Sequence, residues 1–208
     1  MTSVLAPNLS VDIVARARRV GAIAATFAAD VDLHARFPAE TVAALKSERL
    51  LSIMIPKELG GEGASAAQIC EVCAILGQNC ASSAMIFAMH QIKLSSLVSH
   101  GMDADWHRGF MQQISKDQLL LASATTEGGI GGDLRNSICA VATNGDDFTL
   151  SKDATVISYG SVADAILVTA RANPDAPSSD QVMVVALKGQ YTLEQTSVWN
   201  TLGMRGTC

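Results

Sequence analysis

Apolar side chains recur every three or four residues through the first half of the chain, a spacing that places them on one face of a helix. The first such stripe contains Ile13, Ala17, Val20, Ala24, Phe27 and Val31. Four more helices are predicted, at residues 40–50, 65–76, 82–99 and 104–115. Ser65 is the expected N-cap of the third helix, and Ser82 or Ser83 that of the fourth. Gly101 is expected to end the fourth helix in a left-handed conformation.

The spacing of apolar positions shortens after residue 118. Five short β-prone runs follow, namely LLLASATT, SICAVAT, DFTLSK, AILVTAR and VMVVALK, separated by turn-forming clusters such as NGDD and NPDAPSSD. Because no helix lies between these strands, antiparallel sheets in a barrel or sandwich are expected, and a βαβ nucleotide fold is not. The sequence therefore predicts an α+β chain, with an all-α domain at residues 1–118 and a β-barrel-like domain at residues 119–208.

The composition narrows the class of protein. Hydrophobic residues make up 49% of the 208 residues and charged residues 17%, which excludes a disordered chain. No apolar stretch reaches the roughly 20 residues of a membrane span, and the start, MTSVLAPNLSVDIV, lacks the features of a secretory signal. We therefore expect a cytoplasmic protein. The net charge of −5, without a basic block, argues against nucleic acid and favours a small-molecule ligand.

The five cysteines are expected to be free thiols, because their number is odd and the chain is too long to need disulfides. Cys70 and Cys73 form a C-x-x-C pair, a pattern that can indicate a redox or zinc site. They lie within a predicted apolar helix, and no second Cys/His pair occurs at metal-binding spacing. We predict buried, inert thiols and no metal site.

Two glycine-containing segments interrupt the regular patterns. LSIMIPKELGGEGAS contains a proline and three glycines, and is predicted to be a shaped loop. ATTEGGIGGDLR, residues 124–135, places hydroxyls, an acid and four glycines directly after an apolar strand. Backbone N–H groups in such a loop can approach an anionic or planar ligand closely. The glycine spacing is not that of a Rossmann fingerprint, and composition alone leaves a plain hairpin turn equally open.

Five segments, in order, resemble the acyl-CoA dehydrogenase family. ATTEGGIGGD is similar to the family's T-E-x-x-x-G-S-D loop, and IPKELGGEG to its P-x-E-x-G-G-x-G turn. MHQIKLSSLVSHG resembles the helix before the β-domain. SKDATVISYGSVADAILVTAR resembles the pair of strands written K-x-x-I-T-N-G-x-x-A-D, and LGMRGT the L-G-x-R-x-S/T segment. The resemblance covers nearly all of the chain from about residue 40.

The resemblance implies an FAD-dependent oxidoreductase that removes the α-proton and β-hydride of an acyl-CoA thioester. The positions that it implies for cofactor binding are Thr125, Thr126, Gly131, Gly132, Val156 and Ser158. Thr126 would contact the flavin near N1 and O2, and Ser158 would replace the threonine that donates to N5 and O4. Gly132 and Val156 stand where the family has serine and tryptophan, and Tyr159 where it has asparagine. These departures favour a divergent branch with an unusual substrate.

For substrate binding the resemblance implies His90, Gly132 and Arg205. His90 is open between lining the acyl pocket and packing in the core with one satisfied ring nitrogen. Arg205 is open between pairing with an anionic group and anchoring its own loop. Glu127 is expected to be structural and is not a replacement for the catalytic base.

The family's catalytic base is a glutamate in a C-terminal helical bundle, and no residue of this chain matches it. We therefore expect a fragment, incomplete at the C-terminus, with no catalytic residue of its own and weak retention of FAD. The expected partners are an acyl-CoA substrate, an electron acceptor that the sequence does not identify, and further copies of the chain in a dimer or tetramer. Two alternatives stay open: a flavin monooxygenase of the same fold, and a non-catalytic truncated module.

Overall fold

The structure, a computed structural model, describes residues 13–130 and 132–207. These residues form two compact units. The helical unit contains the described residues up to Leu120 and again from Ser197, and the sheet unit contains Leu121–Thr196.

Five α-helices make up most of the helical unit: α1 (Ile13–Leu33), α2 (Ala39–Ser47), α3 (Ala66–Gly77), α4 (Ala81–His100) and α5 (Asp105–Asp117). Each matches a predicted helix, with ends that differ by three residues or fewer. Short 3₁₀ turns occur at Lys57–Leu59 and Arg205–Thr207. Among the described residues, no helix is both long enough and apolar enough to cross a membrane.

The predicted stripe on α1 is largely buried. Ala17, Val20, Ala24 and Val31 are almost fully enclosed, and α1 packs on α2 and α3. The predicted cap of α3 is confirmed, because the backbone N–H of Gln68 donates to Ser65 Oγ and the Gln68 side chain accepts from the backbone of Ser65. This reciprocal capping box satisfies two of the free N–H groups at the helix start.

The ends of α4 differ from the prediction. The helix begins one residue earlier than expected, with Cys80 as N-cap and no side-chain cap bond. Ser82 and Ser83 are buried inside the first turn, where Ser82 Oγ accepts a 3.2 Å hydrogen bond from the Gly206 N–H. Gly101 is not left-handed, since its φ is −103° and its N–H donates to Leu97 O as a continuing helical turn would.

The left-handed residue of this region is Gln118, which ends α5 with φ 52°. Its side chain explains how a non-glycine residue tolerates this conformation. Gln118 Nε2 donates to Ser52 Oγ at 2.7 Å and to Ser115 O at 2.8 Å, and Oε1 accepts from the Leu51 N–H at 3.2 Å. These buried bonds offset the steric cost of the left-handed backbone.

The exposure of Cys70 corrects the prediction of two buried thiols. The buried face of α3 consists of Ile69, Val72 and Leu76. Cys70 follows Ile69 by one position and points away from that face into solvent, and Cys73 is half-buried. Burial raises the pKa of the Cys73 thiol, with a smaller contribution from Cys70.

The sheet unit contains five strands, one in each predicted run: β1 (Leu121–Ala124), β2 (Ala142–Asn144), β3 (Asp147–Thr149), β4 (Ala165–Arg171) and β5 (Gln181–Leu187). β1, β4 and β5 form one sheet with β4 in the centre, and β2 and β3 form a separate antiparallel hairpin. The expected barrel is absent from the part of the chain that the structure describes. A three-stranded sheet and a separate hairpin leave too few paired strands for closure.

The strand directions also correct the prediction. β4 and β5 are antiparallel, as expected, but β1 and β4 are parallel, with Leu121 opposite Ala165 and Ala124 opposite Val168. Parallel neighbours need a crossover of a dozen or more residues. The connection at residues 125–164 is long enough, and it contains the glycine-rich loop and the β2–β3 hairpin.

Candidate functional site

The glycine-rich segment after β1 is a loop closed on itself by Glu127. β1 is buried at all four positions, and Glu127 stays buried three residues beyond it. Glu127 Oε1 accepts a 2.6 Å hydrogen bond from Ser137 Oγ, while Oε2 accepts from the N–H groups of Ile138 at 2.6 Å and Cys139 at 3.2 Å. One carboxylate thus holds the two ends of the loop, residues 128–136, together.

Lys152 neutralises this carboxylate. Its Nζ donates to Glu127 Oε1, and both side chains are almost fully buried. The same ammonium donates to Thr169 O of β4 at 2.8 Å. Burial by itself would raise the pKa of Glu127, but the hydrogen bonds from Lys152, Ser137 and the Ile138 N–H outweigh it and lower that pKa to about 2. Glu127 is therefore an ionised member of a buried ion pair.

The Cys139 thiol completes the cluster. It donates to Glu127 Oε1 at 3.2 Å and to Thr169 O at 3.4 Å, and it lies 3.6 Å from Lys152 Nζ. Burial raises the pKa of this thiol, and its bond to Glu127 acts in the same direction. Cys139 therefore stays a protonated thiol and acts as a weak hydrogen-bond donor. This environment does not favour a reactive cysteine, because reactivity requires the thiolate.

A second segment of the chain lies alongside the first part of the loop. Thr126 Oγ1 donates to Val156 O at 3.4 Å, and the Gly128 N–H donates to Asp153 O at 3.3 Å. The Val156 side chain is 37% exposed. The structure therefore brings together Thr126 and Val156, two residues 30 positions apart that the family resemblance implies for one cofactor site.

The glycines of the loop are used for their backbone angles. Gly129 and Gly132 have φ of 88° and 84°, in the region that favours glycine. A Cβ added at Gly132 would have no heavy atom within 4 Å, so no close backbone approach inside the protein requires this glycine. Gly131, another predicted cofactor residue, lies outside the described residues.

Ser158 is half-buried and directly precedes Tyr159, a residue with an unusual backbone. Tyr159 has φ 44° and is fully enclosed, and its hydroxyl donates a 3.0 Å hydrogen bond to Leu121 O of β1. Asparagine, which the family has at this position, tolerates positive φ better than most residues do. The departure at Tyr159 thus keeps the backbone geometry and adds a buried anchor on β1.

The two other substrate candidates lie in the helical unit. His90 is fully buried, and its Nε2 is 2.6 Å from Leu51 O, to which it donates. This placement supports the packing interpretation of His90. Arg205 Nη1 donates to Asp32 O at 3.3 Å and lies 3.6 Å from the Asp32 carboxylate. Arg205 thereby anchors the terminal segment to the end of α1.

Sequence reasoning did not single out Lys152, Ser137 or Cys139 as partners of Glu127. Lys152 ends the run DFTLSK, where a lysine ordinarily marks the exposed end of a strand. The sequence feature that could have indicated these partners is the acidic residue at position 127, which lies between an apolar strand and a run of glycines. A carboxylate in such a place requires a donor set if it is buried.

The comparison with known families comes from the first half of the chain. Residues 13–117, just over half of the sequence, match the model of the acyl-CoA dehydrogenase N-terminal domain. The chain therefore belongs to the acyl-CoA dehydrogenase family.

Among characterised relatives, the cyclohex-1-ene-1-carbonyl-CoA dehydrogenase of Syntrophus aciditrophicus (strain SB) is 27% identical over 179 residues. The match covers 86% of this chain and 43% of that enzyme. The chain spans less than half of the length of the curated relatives it matches.

Solved structures agree on the fold. Dibenzothiophene monooxygenase (TdsC) from Paenibacillus sp. A11-2 has a TM-score of 0.77 and 19% identity, covering 93% of this chain and 47% of that one. The acyl-CoA dehydrogenase from Geobacillus kaustophilus has a TM-score of 0.74 and 20% identity, covering 91% and 50%. At such identities the likeness establishes a shared fold only.

Proposed function

We propose that this protein is an FAD-dependent oxidoreductase that dehydrogenates an acyl-CoA thioester between its α- and β-carbons. The observation that carries the proposal is the hydrogen bond between Thr126 and Val156 O. It joins the two segments whose motifs resemble the flavin-contacting segments of the family. Family membership, established on residues 13–117, supports the same assignment independently.

The chemistry of the residues present fits a flavin. Thr125, Thr126 and Ser158 supply neutral hydroxyl donors, which suit the carbonyl and nitrogen edge of an isoalloxazine ring. The exposed Val156 offers an apolar surface to a ring face. The positive φ of Gly132 turns the backbone without a side chain in the way, so an anionic group could approach the backbone closely there.

A bound flavin would supply the acceptor for the hydride that leaves the β-carbon. The residues of this chain would hold the flavin and polarise its ring. Ser158 would donate to the ring edge and stabilise negative charge there, whereas Thr126 would do so after its hydroxyl hydrogen turns from Val156 O to the ring. Val156 would exclude water from one face.

Glu127 does not serve as the base that removes the α-proton. Its carboxylate is buried and already accepts hydrogen bonds from Lys152, Ser137 and two backbone N–H groups. With a pKa of about 2 it is also a weak proton acceptor. The residues described here therefore serve the cofactor, and no catalytic base is proposed among them.

The proposal extends to the cellular setting. We place the protein in acyl-CoA and fatty acid metabolism in the cytoplasm, acting as a dimer or tetramer. These points rest on the family resemblance.

A flavin-dependent monooxygenase is the second candidate. One specific observation favours it. Val156 and Gly132 replace the tryptophan and serine that the dehydrogenase pattern places next to the flavin. The fold is compatible with both candidates, because it is shared with dibenzothiophene monooxygenase and with an acyl-CoA dehydrogenase.

Anaerobic mixing of the flavin-loaded protein with acyl-CoA thioesters tests the proposal, with the protein expressed from its complete reading frame. Loss of the oxidised-flavin absorbance band on addition of thioester, with formation of the 2-enoyl product, is the expected result. Stable absorbance with every thioester, together with oxygen-dependent hydroxylation of an aromatic substrate after a reductant is supplied, would overturn it in favour of the monooxygenase. Failure to bind any flavin would exclude both flavoenzymes and favour the non-catalytic module.

A further inference from the structure

We infer that the buried Glu127–Lys152 pair is the positioning device of the proposed flavin site, because it closes the glycine-rich loop and fixes that loop to β4. The inference rests on the proposed function for the identity of the ligand. Its structural half, the control of loop order, is independent of any ligand.

The first step is the closure of the loop. Glu127 accepts hydrogen bonds from Ser137, Ile138 and Cys139. The nine-residue loop between positions 127 and 137 therefore begins and ends at the Glu127 carboxylate. A loop rich in glycine loses much conformational entropy on ordering. The donors gathered on Glu127 offset that cost at the base of the loop and leave its tip accessible.

The second step is the attachment of the closed loop to the sheet. Lys152 Nζ donates both to Glu127 and to Thr169 O, and Thr169 lies within β4, the central strand. The return end of the loop also contacts β4 without Lys152, since the Arg171 N–H donates to Cys139 O at 2.8 Å and the Cys139 thiol donates to Thr169 O at 3.4 Å. Lys152 adds a link from β4 to Glu127 itself, at the start of the loop.

The third step links the pair to both proposed flavin segments. Glu127 directly follows Thr126, and Lys152 precedes Val156 by four residues on the segment whose Asp153 O accepts from the Gly128 N–H. The ion pair thus sets the register between the two segments. A change at the pair shifts Thr126 relative to Val156, although neither charged group contacts the proposed ligand.

The fourth step is energetic. A buried ion pair contributes little net stability compared with apolar side chains of similar volume, because both charges lose their hydration. A pair of charges enclosed at this place is therefore better explained by the geometry it enforces than by the stability it adds.

The test compares four variants of the protein expressed from its complete reading frame. Glu127→Gln and Lys152→Met each leave one buried group without its charged partner. The double variant E127Q/K152M removes both charges and leaves neither unpaired. Glu48→Gln is the matched control, because it breaks an ion pair with Arg19 on the helical surface.

Two readouts separate positioning from stability. FAD affinity and the absorption spectrum of bound FAD report on the site. Trypsin cleavage after Arg135, whose side chain is 92% exposed two residues before Ser137, reports on loop order without any ligand. Thermal unfolding monitors the fold.

The double variant is expected to unfold near the wild-type temperature, to bind FAD about tenfold more weakly with a shifted spectrum, and to be cleaved after Arg135 about tenfold faster. Glu48→Gln should change none of these. If the double variant does not fold, Ser137→Ala is measured in its place. This substitution removes one donor to Glu127 and keeps the ion pair. For Ser137→Ala, the rate of cleavage after Arg135 is expected to rise by about threefold.

Wild-type affinity, spectrum and cleavage rate in the folded double variant, or in Ser137→Ala where that variant serves, would overturn the inference. Faster cleavage combined with no FAD binding by the wild type would overturn the proposed function and the positioning of FAD, while control of loop order would stand. The two failures are therefore distinguishable.

Discussion

The hydroxyl of Tyr159 donates a 3.0 Å hydrogen bond to the carbonyl oxygen of Leu121, the first residue of β1. Tyr159 makes this bond from a left-handed backbone, with φ 44°, and is fully enclosed. Ser158, the proposed donor to the flavin, directly precedes it. The position of Ser158 therefore depends on a buried neighbouring side chain that holds the segment onto the sheet.

Tyr159→Phe is expected to lower the free energy of unfolding by about 1–2 kcal/mol, because it removes one buried hydrogen bond and keeps the ring. Tyr159→Ala should lower it by about 3–5 kcal/mol, since it also leaves a cavity. Urea unfolding followed by circular dichroism measures both. Equal losses in the two variants would show that ring packing contributes nothing at this position.

The Glu127 carboxylate predicts a specific pH dependence. Its pKa in the folded protein is about 2, below the ordinary value of 4.5, so its contribution is complete above the ordinary pKa and is lost as the pH falls through about 2. At neutral pH we expect Glu127→Gln to be less stable than the wild type by on the order of 3 kcal/mol. The difference should shrink below about pH 5, because protonated glutamate resembles glutamine.

Urea unfolding of wild type and Glu127→Gln at several values from about pH 6 to about pH 3 checks this expectation. Glu48→Gln supplies the comparison. The hydrogen bond from Arg19 also lowers the pKa of Glu48, but that pair lies at the surface and its effect should be smaller. A stability difference at Glu127 that does not change with pH would contradict the assigned ionisation.

Local features were the most accessible from the sequence. The α1 stripe and the Ser65 cap depend on residues three or four positions apart, and both were predicted correctly. The parallel pairing of β1 with β4 joins residues more than 40 positions apart, which strand propensity does not encode. Gly101 at the end of α4 is not left-handed, whereas Gln118 at the end of α5 is, because its amide finds buried partners on a distant loop.

The candidate site also has one part that the sequence indicated and one part that it did not. The resemblance pointed to Thr126 and Val156 as neighbours of one ligand, and the two are in contact. The Glu127–Lys152 pair was not anticipated, since 25 residues separate its members and neither motif requires a charge to be buried. Ion pairs at such separations follow from how loops return to a sheet, and a single sequence does not specify that path.

His90 allows a direct decision between packing and substrate binding. Because its Nε2 donates to Leu51 O inside the core, His90→Leu is expected to cost about 1–3 kcal/mol of stability. Gln91 Nε2 also donates to Leu51 O, at 3.2 Å, which limits the loss. The KM for acyl-CoA should stay unchanged at a temperature where the variant is folded. A KM raised about tenfold without loss of stability would instead favour a role in the acyl pocket.

Gly206 tests how tightly the terminal segment packs in the helical unit. A Cβ at this position would lie 2.5 Å from Val31 Cγ1 and 3.0 Å from both Arg36 O and Ser82 Cβ. Because two of these neighbours belong to helices and one is a backbone oxygen, Gly206→Ala is expected to lower stability by about 1–3 kcal/mol.

Gly109→Ala is the matched control for this substitution. Gly109 lies within α5, where an added Cβ would have no heavy atom within 4 Å, so the same change should raise stability by up to about 1 kcal/mol. Thermal unfolding of the two variants should therefore shift in opposite directions. A Gly206→Ala variant as stable as the wild type would mean that the segment at residues 205–207 can move away from α1 and α4 at no cost, and that the Arg205 contact with Asp32 does not fix it there.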